Sequence, residues 1–317
     1  MRVGVVDIGT NSTRLLVADV DRASGAIAPV LRRSQVTRLG SGVDTGGALA
    51  DDAMARVFDT LAGYRKALDE HHCERNLAVL TSAVRDSANG GSFAERVRGD
   101  FGLDARVLSG DEEAQLTFRG AMSGRSDGEA REDGEPVAVI DIGGGSTEFI
   151  TGRDLGPRAR AGFHVSLPAG VVRMSERHID SDPPAPTELQ DLAADVRSIF
   201  LEGLPAGERA AVASGIAVAG TATSAAAIDL ELNPYDPERV HGHRLLLGTV
   251  ELLLARLADM TEAGRRQVVG LHPDRAPTIV AGMILLIEAM RALDLDEVEV
   301  SEHDILHGGA LLAAGIG

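Results

Sequence analysis

The chain has one cysteine, Cys73, one lysine, Lys66, no tryptophan and only two tyrosines in 317 residues. A single cysteine excludes an intramolecular disulfide and any zinc site built from several thiolates. With lysine almost absent, arginine carries nearly all the positive charge. The formal net charge of −17 argues against nucleic acid as a partner, since non-specific binding depends on neutralising phosphates with Lys and Arg. Long apolar runs are missing as well. The longest, Ile279 to Ile287, is broken by Gly282, stops at Glu288, and is too short to span a bilayer. No basic-then-apolar leader precedes the first strand-like run, so no membrane association and a cytoplasmic location are expected. A polyanionic substrate would gain nothing from the global field. Arginines and metal ions would have to create a local positive site.

What is present is ordinary in bulk, at 44% hydrophobic and 25% charged residues, and long enough for two domains with a core each. The organising stretch is Val137-Ala-Val-Ile-Asp141-Ile-Gly-Gly-Gly145-Ser-Thr-Glu148-Phe-Ile-Thr151. A buried strand delivers a carboxylate to a triple-glycine turn, and a second β-prone run leaves it. Without Cβ atoms, backbone N–H groups can converge on an anion. The N-terminal Val3-Gly-Val-Val-Asp7-Ile-Gly-Thr-Asn-Ser12-Thr-Arg-Leu-Leu-Val17 repeats the pattern without a gap, aligning Asp7 with Asp141, Gly9 with Gly143, Ser12 with Ser146 and Thr13 with Thr147. Two such units imply two related domains, facing one cleft that would hold a phosphate from both sides.

Between the motifs, strands are expected at Thr13–Val20, Ala26–Leu39, Leu77–Thr81 and Ala105–Leu108, and helices from Asp51 and from Asp111. The polar stretch 125–136 reads as linker or surface loop, separating an N-terminal domain, 1–124, from a second, 137–302. A C-terminal helix, 303–317, follows. In the second half, Thr187 with Gln190 suggests a capping box. Helices are expected at Thr249–Met260, Ala276–Leu293 and His303–Ala314, with a strand at Val298–Val300. Strands followed by alternating helices and strands make an α/β fold of mixed sheets.

Asp7 and Asp141 are candidate metal or phosphate-site carboxylates, each with an alternative role in stabilising its turn. Glu148, two strand positions after Ser146, should share that residue's face and reads as a metal-water ligand. The turn residues Thr10, Asn11 and Ser12, with Gly143, Gly144, Gly145 and Ser146, are the candidate phosphate cradle. Asp111, Glu112 and Glu113 begin a helix, where acidic residues suit the macrodipole; Glu113 is also a candidate for orienting or deprotonating water. Arg85 suits bidentate contact with phosphate oxygens. Gly220 and Thr221 follow an apolar strand and open a helix, an arrangement that serves equally as an anion site or a plain cap. His71-His72-Cys73 reads as a polar helix end, and Asp19, Asp21, His303 and Asp304 receive no role. No P-loop, no Gly-x-Gly-x-x-Gly fingerprint and no Gly-x-Ser-x-Gly elbow is present.

In order, Asp7-Ile-Gly-Thr-Asn-Ser-Thr13, Thr81-Ser-Ala-Val-Arg-Asp86, Ser109-Gly-Asp-Glu-Glu-Ala114 and Asp141-Ile-Gly-Gly-Gly-Ser-Thr-Glu148 resemble the exopolyphosphatase / guanosine pentaphosphate phosphatase (Ppx/GppA) family. Ala219-Gly-Thr-Ala-Thr-Ser224, Val240-His-Gly-His-Arg-Leu245 and Pro273-Asp-Arg-Ala276 extend the match over nearly the whole chain. The resemblance implies two ribonuclease-H-like domains of the actin/sugar-kinase superfold. It implies release of terminal phosphate from inorganic polyphosphate with Mg²⁺, for which Mn²⁺ would substitute, and a homodimer. Guanosine penta- and tetraphosphate are further candidate ligands, and sequence leaves open which is the main substrate. By the same resemblance Glu113 is the catalytic glutamate, Asp141 and Glu148 bind metal, residues 143–146 with Asn11 and Ser12 cradle phosphate, and Arg85 contacts substrate. The last helix would pack on the first domain. One departure is that long members continue into a further helical domain while this sequence stops at Gly317, which puts a preference for very long polyphosphate in doubt. The alternatives are an ATP-dependent small-molecule kinase of the same superfold and a non-catalytic sensor of guanosine tetra- or pentaphosphate.

Overall fold

Alternation within the first run dictates how the N-terminal sheet is covered. In β1 (Arg2–Ile8), Val3 and Val5 join one apolar cluster while Val6 and Ile8 join another. Successive strand side chains point to opposite faces, so both faces of this strand are buried. The helices Asp51–Glu70 and Gly90–Phe101 cover the Val6/Ile8 face. The helices Gly110–Ser123 and Ile305–Ala313 cover the other. Asp7 therefore points toward the side occupied by the 305–313 helix.

The computed structural model describes residues 1–123, 134, 136–153 and 159–316, with 44 and 45 by backbone only. The expected linker 125–136 falls outside the described residues except at Gly134 and Pro136. Two units emerge, one from residues 1–123 with 304–316, the other from 136–153 with 159–303.

In the first unit, β1, β2 (Ser12–Val20), β3 (Ile27–Val36), β4 (Arg75–Leu80) and β5 (Asp104–Val107) form one sheet in the order β3-β2-β1-β4-β5. β1–β2 and β2–β3 are antiparallel, and β1–β4 and β4–β5 are parallel. In the second unit, β6 (Pro136–Ile142), β7 (Thr147–Arg153), β8 (Ala161–Leu167), β9 (Ser214–Val218), β10 (Arg244–Leu246) and β11 (Glu297–Val300) take the order β10-β11-β9-β6-β7-β8. Read from β8, this is the first sheet again, with three antiparallel strands, then two parallel ones, and β10 added at the edge. Each unit is thus a ribonuclease-H-like α/β layer. Among the described residues no helix is long and apolar enough to cross a membrane.

Among the described residues, two helices of eight residues or more escape the sequence reading, Gly90–Phe101 and Val171–His178. The second has only eight residues, too few for a periodic signal. The expected capping box is displaced. Pro186, with φ preset for a first helical turn, starts the helix Pro186–Gly203 ahead of Thr187. Glu188, not Gln190, reaches back, its Oε2 accepting from the Ala185 N–H at 2.7 Å.

Candidate functional site

The two glycine turns share one geometry. The Gly9 N–H donates to the Ser12 carbonyl at 3.0 Å, and the Gly143 N–H to the Ser146 carbonyl at 2.9 Å. Each turn is then anchored by its carbonyls. In the second, the first N–H groups of the 171–178 helix donate to it, Val171 to the Gly143 carbonyl and Val172 to the Gly144 carbonyl, both at 2.9 Å. In a trans peptide the C=O and the next N–H point opposite ways. Fixing those two carbonyls on the helix therefore turns the N–H groups of Gly144 and Gly145 away from it. Gly170 is the hinge of this packing, since a Cβ there would lie 2.5 Å from Gly144 and Gly145 backbone atoms. In the first turn, the Thr10 carbonyl accepts from Gly40 N–H and the Asn11 carbonyl from the Thr37 and Arg38 N–H groups, which directs the N–H groups of Asn11 and Ser12 outward by the same logic. The Thr10 hydroxyl lies 3.0 Å from that of Ser82, in the motif leading to Arg85.

The carboxylates differ where the backbones agree. Asp7 faces Arg14 across its hairpin, and Asp141 faces Glu148 across the other. Arg14 grips Asp7 Oδ2 through Nε at 2.9 Å and Nη2 at 2.7 Å and donates through Nη1 to Asp304. Asp7 Oδ1 is buried without a hydrogen-bond partner among the described residues. Burial pushes the Asp7 carboxyl above its ordinary range, Arg14 offsets only part of that, and the neighbouring Asp304 charge pushes it further up. Burial acts in the same direction on Asp304, but Arg14, His307 and Arg32 together hold that carboxyl well below the usual range. Asp304, given no role by sequence, caps the 305–313 helix through the Leu306 N–H and thereby fastens that helix to the first turn.

In the second unit, the Ser146 hydroxyl, one residue before β7, donates to Glu148 Oε1 at 2.6 Å, and the Ser166 hydroxyl donates to the same oxygen at 2.7 Å. Oε2 is the oxygen nearer the glycine turn, 4.0 Å from where a Gly143 Cβ would be. Among the described residues no cluster of three or more His, Cys, Asp or Glu side chains is placed to hold a metal. The two cross-strand carboxylates Asp141 and Glu148 suit instead a hard cation that takes its remaining ligands from water and substrate phosphate, the habit of Mg²⁺.

Glu113 and Arg85 meet, with Arg85 Nη1 donating to Glu113 Oε2 at 2.7 Å and to the Leu108 carbonyl at 3.2 Å. Glu112 is the structural neighbour, since its Oε2 accepts from the Ser109 N–H at 2.9 Å while its own N–H donates back to the Ser109 hydroxyl at 3.2 Å. That capping box was readable as Ser109-x-x-Glu112. At the end of β9, Ala219 holds a positive φ of 62°, a strained value for a residue with a side chain. Gly220 is the second residue of the helix Ala219–Asp229, and its Thr221 is buried. The Arg275 guanidinium lies so close to Gly220 that a Cβ would be 1.5 Å from Nη1. Arg275 belongs to the Pro273-Asp-Arg-Ala276 motif, but nothing in that motif alone says which strand end it meets.

The Ppx/GppA phosphatase family profile matches residues 5–311. Exopolyphosphatase 2 of Mycobacterium tuberculosis is 37% identical over 99% of both chains. The crystal structure of an exopolyphosphatase-like protein matches with a TM-score of 0.85 at 32% identity, covering 100% of this chain and 97% of the other. That of the Aquifex aeolicus Ppx/GppA family member matches with a TM-score of 0.80 at 28% identity, covering 98% and 97%. These matches bear out the two-unit superfold, and with motif, fold and profile in agreement over nearly its full length, the chain belongs to the Ppx/GppA phosphatase family.

Proposed function

We propose that this protein is an exopolyphosphatase, hydrolysing the terminal phosphoanhydride bond of inorganic polyphosphate with a divalent cation. The observation that carries the reading is the contrast between equivalent positions: the first hairpin neutralises its aspartate with Arg14, while the second sets Glu148 beside Asp141. Two adjacent carboxylates next to a phosphate turn require a cation between them and the anion. The cation therefore belongs with Asp141 and Glu148. Asp7, neutralised by Arg14, serves the first turn through its remaining oxygen.

When bound, the cation neutralises charge on the terminal phosphoryl group and its leaving oxygen. The outward N–H groups of Gly144 and Gly145 hold the phosphoryl oxygens, and those of Asn11 and Ser12 are a second phosphate cradle. Glu113, oriented by Arg85, places a water in line and takes its proton as the oxygen attacks phosphorus. The bridging P–O bond breaks, giving phosphate and a chain shorter by one unit. Positioning and charge stabilisation supply most of the rate in such transfers. Guanosine pentaphosphate is a second substrate on this reading, and a homodimer the working assembly.

Phosphate release by Glu113→Gln tests the chemistry. A general base contributes about 10²- to 10⁴-fold, so kcat should fall by that much with substrate affinity nearly unchanged. Glu112→Gln, which alters the cap alone, should keep turnover while lowering the melting temperature slightly. Near-wild-type turnover in Glu113→Gln would sink the hydrolytic reading and favour a kinase or a binding protein.

A further inference from the structure

Asp304 does more than a helix cap requires. Its Oδ1 accepts from the Leu306 N–H at 3.0 Å, and its own N–H donates to His307 Nδ1 at 3.4 Å, which closes the first turn of the helix Ile305–Ala313. A neutral serine, threonine or asparagine would serve that purpose equally well. A carboxylate that is 1% exposed loses its hydration and stays ionised only against compensating partners. Arg14 is the nearest of them, its Nη1 donating to Asp304 Oδ2, with the Arg32 guanidinium 3.9 Å from the same oxygen.

That engagement governs how Arg14 meets Asp7. A guanidinium facing one carboxylate commonly makes two parallel bonds, one to each oxygen. Here Nε and Nη2 both donate to Asp7 Oδ2, at 2.9 and 2.7 Å, while Nη1 is drawn to Asp304. Asp7 Oδ1 is left buried with no hydrogen-bond partner among the described residues. A buried acceptor in that state is costly, and in a native fold it calls for a reason. The carboxylate stands at the first glycine turn, Oδ2 being 3.9 Å from where a Gly9 Cβ would lie. Asp304 itself is held fast from behind. A Cβ at Gly120 would collide with the Asp304 carbonyl, and one at Gly308 with that of Leu116, so the helices Gly110–Ser123 and Ile305–Ala313 meet backbone to backbone. The helix that carries Glu113 thereby fixes the main chain from which Asp304 reaches Arg14.

We propose that Asp304 is a positioning residue for hydrolysis. By drawing Nη1 of Arg14 to itself it confines the guanidinium to one oxygen of Asp7, and it reserves the other, Oδ1, as an acceptor for a donor that arrives with the substrate phosphate. This rests on the hydrolase reading, in which the first turn is a second phosphate cradle.

The test is phosphate release from polyphosphate by Asp304→Asn, alone and combined with Asp7→Asn, measured below the melting transition of each protein. In Asp304→Asn one side-chain oxygen still caps Leu306, but an amide nitrogen replaces the oxygen that accepts from Arg14. The kcat should fall about tenfold with KM within about twofold, the pattern of a misplaced group rather than of lost binding. In the Asp7→Asn background the same change should alter kcat by less than about twofold, because both substitutions act through one oxygen. Asp304→Ser, which caps with a hydroxyl and carries no carboxylate, should behave as Asp304→Asn does and stands in for it if that variant does not fold. Crystal structures give a readout apart from turnover, since without the Asp304 carboxylate the Arg14 guanidinium should turn to span both Asp7 oxygens. Equal losses of kcat in the two backgrounds, no loss in either, or an unmoved Arg14 would overturn the proposal. If the unsubstituted protein releases no phosphate from any polyphosphate, the hydrolase reading fails, while the crystal structures still decide whether Asp304 holds Arg14 on one oxygen.

Discussion

Ser166 shows how one hydroxyl sets the use of a carboxylate. Together with Ser146 it donates to Glu148 Oε1, while Oε2 is the oxygen on the Gly143 side. Partners that orient a metal-binding carboxylate typically matter about 10- to 100-fold in metal affinity. Ser166→Ala should therefore shift the metal dependence of hydrolysis roughly 10-fold upward, with kcat restored by excess metal. Ser166→Thr, which keeps the donor, should stay near wild type. Metal binding followed by Mn²⁺ paramagnetic resonance gives a readout independent of turnover, and an unchanged affinity in Ser166→Ala would remove the residue from the site. Glu148 was legible because it lies two positions after Ser146, the spacing at which extended backbone returns to the same face. Ser166 was not, because it reaches Glu148 across the β7–β8 ladder, and no local spacing encodes that register.

At the scale of elements, the second turn is shaped as much by the helix behind it as by its glycines. The 171–178 helix offers its orphan N–H groups to the Gly143 and Gly144 carbonyls, satisfying both partners and setting the peptide planes. Gly170→Ala would drive a Cβ into main chain that cannot swing aside, at 2.5 Å from Gly144 and Gly145. Overpacking of that kind costs about 1–3 kcal/mol. The expected result is a lowered melting temperature together with a fall in kcat/KM of about tenfold or more, because on the proposed reading the displaced peptides carry the phosphate-binding N–H groups. Gly203→Ala is the control, as its Cβ meets only the Leu167 side chain, which can move. It should cost stability without a matching loss of turnover, and parallel losses in both variants would show that the turn has no special part. The duplicated strand–turn–strand units were readable because aspartate, glycine and flanking apolar residues constrain a backbone locally. The eight-residue helix that completes one of them was not, being too short to show a period. Asp304 was opaque for another reason, since its partner Arg14 is near it only after the whole chain has folded.

For the whole molecule, charge decides the chemistry. A chain of net charge −17 that acts on a polyanion faces repulsion at every distance beyond the local site, and salt screens only part of it. Arginine is drawn on inside the protein itself, Arg14 by Asp7 and Asp304 and Arg85 by Glu113. On the proposed reading a cation bound at Asp141 and Glu148 carries positive charge to the substrate, which makes the metal a condition of binding as well as of catalysis. Hydrolysis should accordingly require Mg²⁺ or Mn²⁺ and stop when EDTA exceeds the metal. With only two protein carboxylates in the set, the cation should bind weakly to the free protein and more tightly once polyphosphate contributes oxygens. Asp141→Ala and Glu148→Ala should each raise the metal concentration needed for half-maximal rate as well as lower the rate itself. Asp7→Asn should lower turnover without moving that concentration, because Arg14 rather than a cation answers its charge. Calorimetric metal titrations with and without polyphosphate separate these outcomes. Full activity in excess chelator, or an Asp7→Asn shift in metal dependence as large as that of Asp141→Ala, would refute this placement of the cation.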